Sequence, residues 1–110
     1  MGLNALAQAF LNSGHVYATK HGHMHLHIYL TNVMHADLVC RSLGVGRIIH
    51  PKKKVYVYDV AVTKREELET AALRLLESVP THTYHALLLK YSVWYARCKK
   101  LDNRKAIAFY

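Results

Sequence analysis

The sequence predicts a single α+β domain, because segments with helical periodicity alternate with two predicted hairpins. Residues 3–12 are rich in Ala and Leu, whereas residues 23–31 alternate polar and apolar side chains in the manner of a half-buried strand. A chain of 110 residues is long enough to bury one hydrophobic core but too short for two. We therefore expect helix, hairpin, helix, hairpin, helix, helix over residues 1–110, with a tail at 101–110.

The first helix is expected to end at Gly14, because glycine often terminates helices. HVYATK, residues 15–20, is strand-like, and His21-Gly22 predicts a tight turn into the second strand. Along that strand the even positions are apolar and face one side, while the odd positions face the other. The sheet is therefore expected to have one apolar face and one polar, aromatic face. The polar residues of the second strand are His23, His25, His27 and Tyr29.

The middle of the chain is predicted to contain a second helix and a second hairpin. Asn32 is expected to cap a helix at 33–43, and Gly44 to end it. GRIIH, residues 46–50, and VYVYDVAV, residues 55–62, are the two strands of the hairpin. The connecting residues are Pro51, Lys52, Lys53 and Lys54. The tip of this hairpin is therefore strongly basic.

Two further helices complete the predicted domain. Thr63 and Glu66 have the spacing of a capping box, which predicts a helix beginning just after Thr63. Pro80 breaks the chain, and a last helix is predicted from about 83 to 100, with an aromatic face that we assign to the core.

Net charge is the first indication of function. The chain carries fifteen Lys and Arg against seven Asp and Glu, a formal charge of +8 with neutral histidines. This excess favours a polyanionic partner, and nucleic acid rather than a membrane, because the sequence shows no long basic amphipathic helix and no apolar run of roughly 18 residues. The alternative is a basic protein whose charge serves only its solubility.

The order of elements and two stretches carry a resemblance to a known family. LAQAFLNSG, residues 6–14, keeps the first two residues and the closing glycine of a nine-residue helical motif. Leu43-Gly44-Val45-Gly46 precedes the basic hairpin, and HALLLK follows at 85–90. Over residues 3 to about 98 the chain resembles the single-motif LAGLIDADG homing endonucleases. The resemblance implies a LAGLIDADG-like α-β-β-α-β-β-α-α fold, a four-stranded antiparallel sheet with helices on one face and nucleic acid along the other.

In that family two motif helices pack together at a symmetry axis. One motif in this chain therefore implies a homodimer through the 3–13 helix, or a monomer that packs against another surface. Gln8 stands at the place of a family glycine, while Ala5, Ala7 and Ala9 remain small. Gln8 thus works against the close helix packing of the usual dimer.

The motif lacks the acidic residue that family members use to bind divalent cations just before the closing glycine. Ser13 stands at this position, and a neutral hydroxyl does not balance the charge of Mg²⁺. Where family members place a basic active-site residue, the sequence has His82 and His85. We therefore expect no catalytic residues, no cofactor and no resident metal, and a protein that is not an enzyme.

We interpret the polar sheet face as a nucleic-acid contact surface, because imidazole rings bind phosphates and base edges and stack on exposed bases. The predicted contact residues are Tyr17, Thr19, Lys20, His21, His23, His25, His27, Tyr29, Arg47, Lys52, Lys53, Lys54, Tyr56 and Tyr58. Ile49 is expected on the same face. The alternatives are a solvated face without a partner and zinc binding by histidines at i and i+2. Side chains about 6.5–7 Å apart along a strand do not converge four at a time on one ion.

The composition of this face favours RNA over DNA. Reading of duplex base edges uses mainly Arg, Lys, Asn and Gln, whereas His and Tyr suit unpaired bases and wide, shallow grooves. We hypothesise a non-catalytic RNA-binding protein that is a structural component of an organellar (mitochondrial) ribosome, held by rRNA and neighbouring ribosomal proteins. The alternative is a DNA-binding protein, a homing endonuclease or an intron maturase. The organelle follows from where the family commonly occurs; otherwise we expect an intracellular protein, because no secretory signal is visible.

Overall fold

The computed structural model describes residues 3–51 and 56–98 of the chain. The predicted lysine tip at 52–54 and the tail at 101–110 lie outside these residues. The elements follow the predicted order as α1 (Leu3–Ser13), β1 (Gly14–Ala18), β2 (Met24–Leu30), α2 (Val33–Leu43), β3 (Arg47–Ile49), β4 (Tyr58–Val62), α3 (Arg65–Leu76) and α4 (Tyr84–Cys98). The first strand ends at Ala18 rather than residue 20, and β4 begins at Tyr58 rather than residue 55.

The four strands form one sheet in the order β1-β2-β4-β3, and each neighbouring pair is antiparallel. Strands β2 and β4 are adjacent although α2 and β3 separate them in the chain. This arrangement confirms the predicted α+β class and the four-stranded antiparallel sheet.

One face of the sheet packs against the helices. The even-numbered residues of β2 are at most 7 % exposed, and Leu26, Ile28, Val60 and Val62 are fully buried. Tyr58, at the start of β4, is partly buried against the same core. The same cluster contains residues from every helix, for example Phe10, Val39, Leu68 and Leu89. Burying a side chain of this size stabilises a fold by about 1.5–3 kcal/mol. The alternation seen in the sequence thus determines which face of β2 is covered.

The helix α1 ends next to Gly14 as predicted, but for a different reason. The backbone at Gly14 is not left-handed, in contrast to Gly22, Gly44 and Gly46 with φ of 78° to 91°. A Cβ atom at Gly14 would lie 2.2 Å from Cδ1 of Phe10. Glycine is needed here because the ring of Phe10, together with its backbone carbonyl oxygen at 2.6 Å, occupies the space of a side chain.

Both ends of α2 are capped as predicted. The side chain of Asn32 accepts hydrogen bonds from the backbone N–H groups of Met34 and His35, at 2.8 and 3.1 Å. Gly44 has φ 78°, and its N–H donates to the carbonyl of Cys40 at 3.1 Å.

The capping box predicted for α3 is wrong. The helix begins one residue later than the box requires, with Lys64 rather than Thr63 at the capping position and no side-chain cap hydrogen bond. A lysine side chain has no oxygen to accept from the first N–H groups. Among the described helices, none is long and apolar enough to cross a lipid bilayer.

Candidate nucleic-acid interface

The register of the sheet determines which side chains share the face opposite the core. Directly opposed residues in antiparallel strands point to the same side, so the pairs His15↔His27, Tyr17↔His25 and Tyr29↔Asp59 define this face. We call it the open face. Its members are His15, Tyr17, His25, His27, Tyr29, Arg47, Ile49, Asp59 and Ala61.

His27 lies at the centre of the open face and binds side chains on two neighbouring strands. Its Nδ1 lies 2.8 Å from both carboxylate oxygens of Asp59 on β4. Its Nε2 lies 3.1 Å from the hydroxyl of Tyr17 on β1. Asp59, His27 and Tyr17 thus form a continuous hydrogen-bonded chain across three strands.

The rings of the open face are closely packed. His27 is nearly parallel to Tyr17, with an interplanar angle of 11° and a centroid distance of 5.3 Å. It is also nearly parallel to Tyr29, at 7° and 5.8 Å. His25 meets Tyr17 edge on at 5.9 Å, and His15 contacts Tyr29 at 5.6 Å.

Burial and neighbouring charges shift two groups of the array. Burial, then the charges of His27, His23 and Arg47, lowers the pKa of His25. Burial, then the carboxylate of Asp59 and the phenol of Tyr17, raises the pKa of Tyr29. His25 therefore favours its neutral form, which both donates and accepts, and Tyr29 remains a phenol near neutral pH.

Several predicted contact residues do come together here. Tyr17 is 44 % exposed, and His25 and Tyr29 are half-buried beside it. Arg47 is exposed and, through Ala61, lies in the same row of the sheet as His27. Ile49 is 42 % exposed on the same face, as expected.

His27 lies on the predicted face, but Asp59 and the flanking rings leave it only 6 % exposed, so it offers little surface for the nucleic-acid contact predicted for it. The placement of Tyr58 on this face is wrong. Tyr58 opposes Leu30 across the strand pair, so its side chain lies on the covered side and packs against the core.

Four predicted contact residues lie in the turn between β1 and β2, although Thr19, Lys20 and His23 were predicted within strands. The N–H of Thr19 donates to the carbonyl of His23 at 2.7 Å, and the N–H of Gly22 donates to Thr19 at 3.0 Å. This closes a longer loop than the predicted His21-Gly22 turn. Lys20, His21 and His23 are exposed at the rim of the open face. Tyr56 precedes β4 and is 79 % exposed, while Lys52, Lys53 and Lys54 lie outside the described residues.

Asp59 is the residue that sequence reasoning missed. Val60 and Val62 are apolar, so alternation along β4 places Asp59 and Ala61 on the open face and Tyr58 on the covered face. The predicted strand began at residue 55, where the tyrosines at alternate positions suggested the opposite assignment.

The residues at the end of α1 do not fit a magnesium site. The hydroxyl of Ser13 donates to the carbonyl of Ala9 at 3.2 Å, inside the helix. Within 3–51 and 56–98, no three side chains of His, Cys, Asp or Glu converge as metal ligands.

Two of the three small residues of α1 face the core of this chain. Ala7 and Ala9 are each 4 % exposed, buried in the core of this chain. Gln8 and Asn12 are exposed, and Ala5 is half-buried. A second copy approaching α1 would therefore meet amide side chains first.

A comparison with solved structures finds the homing endonuclease I-CvuI, in a crystal structure with an I-CreI target and magnesium in which the DNA is not cleaved. The match has a TM-score of 0.61 at 14 % sequence identity, and covers 88 % of this chain and 69 % of that chain. At this identity the likeness shows the fold alone, which is LAGLIDADG-like. No protein-family model and no curated protein sequence matches the chain.

Proposed function

We propose that this chain, which has a LAGLIDADG-like fold, is a nucleic-acid-binding protein that binds RNA across its open face without cleaving it. One observation carries the proposal. The sheet brings Tyr17, His25 and Tyr29 together with the exposed guanidinium of Arg47, on a chain with a formal charge of +8.

Positive charge supplies affinity for phosphates whatever the sequence of the nucleic acid. Arg47 stands on β3 at one edge of the sheet, and Lys20 and His21 lie in the turn beyond β1 at the other side. A polynucleotide lying across the strands would meet cations near both edges and aromatic rings between them.

The rings support RNA as the preferred partner. Phenol and imidazole groups stack on unpaired bases and donate to base edges and phosphates, which is the usual chemistry of single-stranded RNA recognition. The exposed side chains of this face include one arginine and no Asn or Gln among its described members, whereas duplex reading relies mainly on such groups.

The absence of cleavage is supported by the chemistry of the donor groups. Ser13 offers a neutral hydroxyl that is already bonded within α1, and Asp59 is engaged by His27. Neither arrangement matches the carboxylate pair that holds magnesium against a phosphate.

We further propose that the partner is a structured rRNA in an organellar, mitochondrial ribosome, where neighbouring ribosomal proteins would add contacts. The support is the basic, compact chain and the sequence resemblance. Purification from the native source followed by nuclease treatment tests this. Release by RNase supports the proposal, and release by DNase alone contradicts it.

A second candidate is a protein that binds duplex DNA. The observation in its favour is the structural likeness to I-CvuI, which is described as a complex with a DNA target. Binding of matched RNA and DNA oligonucleotides at a single salt concentration separates the two candidates.

The experiment that tests the interface is fluorescence anisotropy with labelled single-stranded RNA, hairpin RNA, single-stranded DNA and duplex DNA. A triple alanine variant of Tyr17, His25 and Arg47 is compared with a matched triple variant of Tyr84, His35 and Arg74, which are exposed on helices. We expect the open-face variant to lose at least about tenfold in RNA affinity, which corresponds to about 1.4 kcal/mol. Equal losses in both variants would show that the open face is not the interface, and tighter binding to duplex DNA would favour the second candidate.

Cleavage is tested separately with magnesium and the same substrates. We expect intact oligonucleotides after prolonged incubation. A specific cut that depends on Ser13 or Asp59 would contradict the non-catalytic proposal.

A further inference from the structure

We propose that Tyr17, His27 and Asp59 form a proton-coupled contact for a phosphate group, in which Tyr17 donates to a phosphate oxygen when His27 is protonated. This rests on the proposed function, because it names the chemical group that one part of the open face binds. The hydrogen-bonded chain across β4, β2 and β1 carries the inference.

Asp59 determines which nitrogen of His27 keeps its proton. An ionised carboxylate only accepts hydrogen bonds, and both of its oxygens lie 2.8 Å from Nδ1. Nδ1 is therefore the donor in the neutral as well as the charged imidazole. The proton that His27 gains or loses is the one on Nε2, which lies 3.1 Å from the hydroxyl oxygen of Tyr17.

The state of Nε2 decides the direction of the Tyr17 hydrogen bond. With a neutral imidazole, Nε2 has a lone pair, and the Tyr17 hydroxyl donates to it. With a charged imidazole, Nε2–H donates to the Tyr17 oxygen. The Tyr17 hydroxyl keeps its proton and is free to donate a hydrogen bond to another acceptor. A phosphate oxygen offers such an acceptor. Binding then takes up one proton from solvent, which resides on Nε2.

Exposure assigns the two roles. Tyr17 is 44 % exposed and forms the outer end of the chain, whereas His27 is 6 % exposed and acts through it. His27 is thus a positioning residue. The carboxylate of Asp59 balances the charge of the imidazolium in this partly dehydrated position.

The sign of the pH dependence follows from linkage. A phosphate that needs the charged imidazole binds more tightly as pH falls, and a bound phosphate in turn favours protonation. Other titratable or charged groups face His27 from each strand. They are His15 and Tyr17 on β1, His25 and Tyr29 on β2, Asp59 on β4 and Arg47 on β3. His25 is the closest competing histidine, with ring centroids 5.9 Å apart.

The test measures RNA affinity at about pH 5.5 and about pH 8, on either side of the ordinary histidine range. NMR signals of the His27 ring report its charge state during addition of RNA or of inorganic phosphate. In the wild type we expect tighter binding at low pH and a shift of His27 toward the charged form with either ligand. Tyr17→Phe keeps the ring but removes the hydroxyl. The variant should bind RNA about tenfold more weakly at the lower pH and with little change at the higher pH. The NMR response of His27 to either ligand should disappear.

Tyr29→Phe is the matched control, because Tyr29 stacks on the other side of His27 without being part of the hydrogen-bonded chain. The RNA affinity of Tyr29→Phe should keep the wild-type pH dependence. His25→Gln should keep most of it. A Tyr17→Phe protein that binds RNA with the wild-type pH dependence and the wild-type His27 response overturns this proposal alone. A wild-type protein that binds no RNA or DNA, while His27 still responds to phosphate through Tyr17, contradicts the proposed function alone.

Discussion

Asp59 and His27 are joined by two contacts of 2.8 Å, from both carboxylate oxygens to Nδ1 of the imidazole. The pair links β4 to β2 on the open face, and the side chains are 18 % and 8 % exposed. A polar ring N–H in such a position is costly to leave without a partner. Asp59 therefore stabilises the sheet as well as shaping the proposed binding surface.

The first prediction concerns this pair. Asp59→Ala leaves the N–H of His27 without its acceptor, so we expect a loss of about 1–3 kcal/mol in the free energy of unfolding, measured in urea. Asp59→Asn keeps an acceptor and should lose less. The control is Asp37→Ala, which removes an exposed pair with Arg41 at 2.9 Å and should cost about 0–1 kcal/mol. Equal losses at the two positions would contradict the role assigned to Asp59.

The second prediction concerns the junction of α1 and β1. Gly14→Ala places a methyl group 2.2 Å from Cδ1 of Phe10, whose side chain is fully buried. Overpacking of this kind costs about 1–3 kcal/mol, measured by the same unfolding experiment. Gly14→Ala/Phe10→Leu removes the contact with the ring, whereas the contact with the carbonyl oxygen of Phe10, at 2.6 Å, remains. The two changes should therefore cost less together than the sum of their separate effects, but more than Phe10→Leu alone. Additive losses would show that the ring does not limit this position.

The third prediction is a gain in stability. Lys64 occupies the capping position of α3 in an extended conformation, φ −85° and ψ 136°, without a side-chain cap. Lys64→Asp supplies an acceptor for the first N–H groups, together with a favourable charge at the helix N-terminus. It should therefore raise the free energy of unfolding by about 0.5–2 kcal/mol.

Thr63→Ala is the companion variant. Because Thr63 makes no cap hydrogen bond in this structure, its loss should change the unfolding free energy by less than about 0.5 kcal/mol. A large loss of unfolding free energy in Thr63→Ala would support the capping box that the sequence predicted.

The fourth prediction concerns pH and stability. Burial, then the charges of His27, His23 and Arg47, lowers the pKa of His25 below 6.5. Between the lowered pKa and 6.5 the unfolded chain binds more protons than the folded protein, so the free energy of unfolding rises with pH through this window. Above pH 6.5 the contribution of His25 to stability is fully present.

His25→Gln removes that contribution. We expect the unfolding free energy of the variant to fall less than that of the wild type between about pH 7 and about pH 5. Urea unfolding at several pH values measures both slopes, and identical slopes would contradict the assignment.

Local signals predicted much of the fold. Asn32 and Gly44 cap α2 as expected, because both caps depend on groups within a few residues of each other. Apolar side chains at alternate positions of β2 predicted its covered face correctly, since one side of the strand must face the core. The cap of α3 was not predicted, because a shift of one residue removes Thr63 from the capping position.

By itself the sequence determined the order of elements, the covered face of β2 and the polar, aromatic character of the opposite face, because these depend on composition and short-range periodicity. Tertiary structure decided the chemistry of that face. The register between β2 and β4 brings Asp59 to His27 across 32 positions of the chain, and the neighbouring rings then bury the imidazole. No local pattern specifies that pairing, because it depends on which strands become neighbours in the sheet.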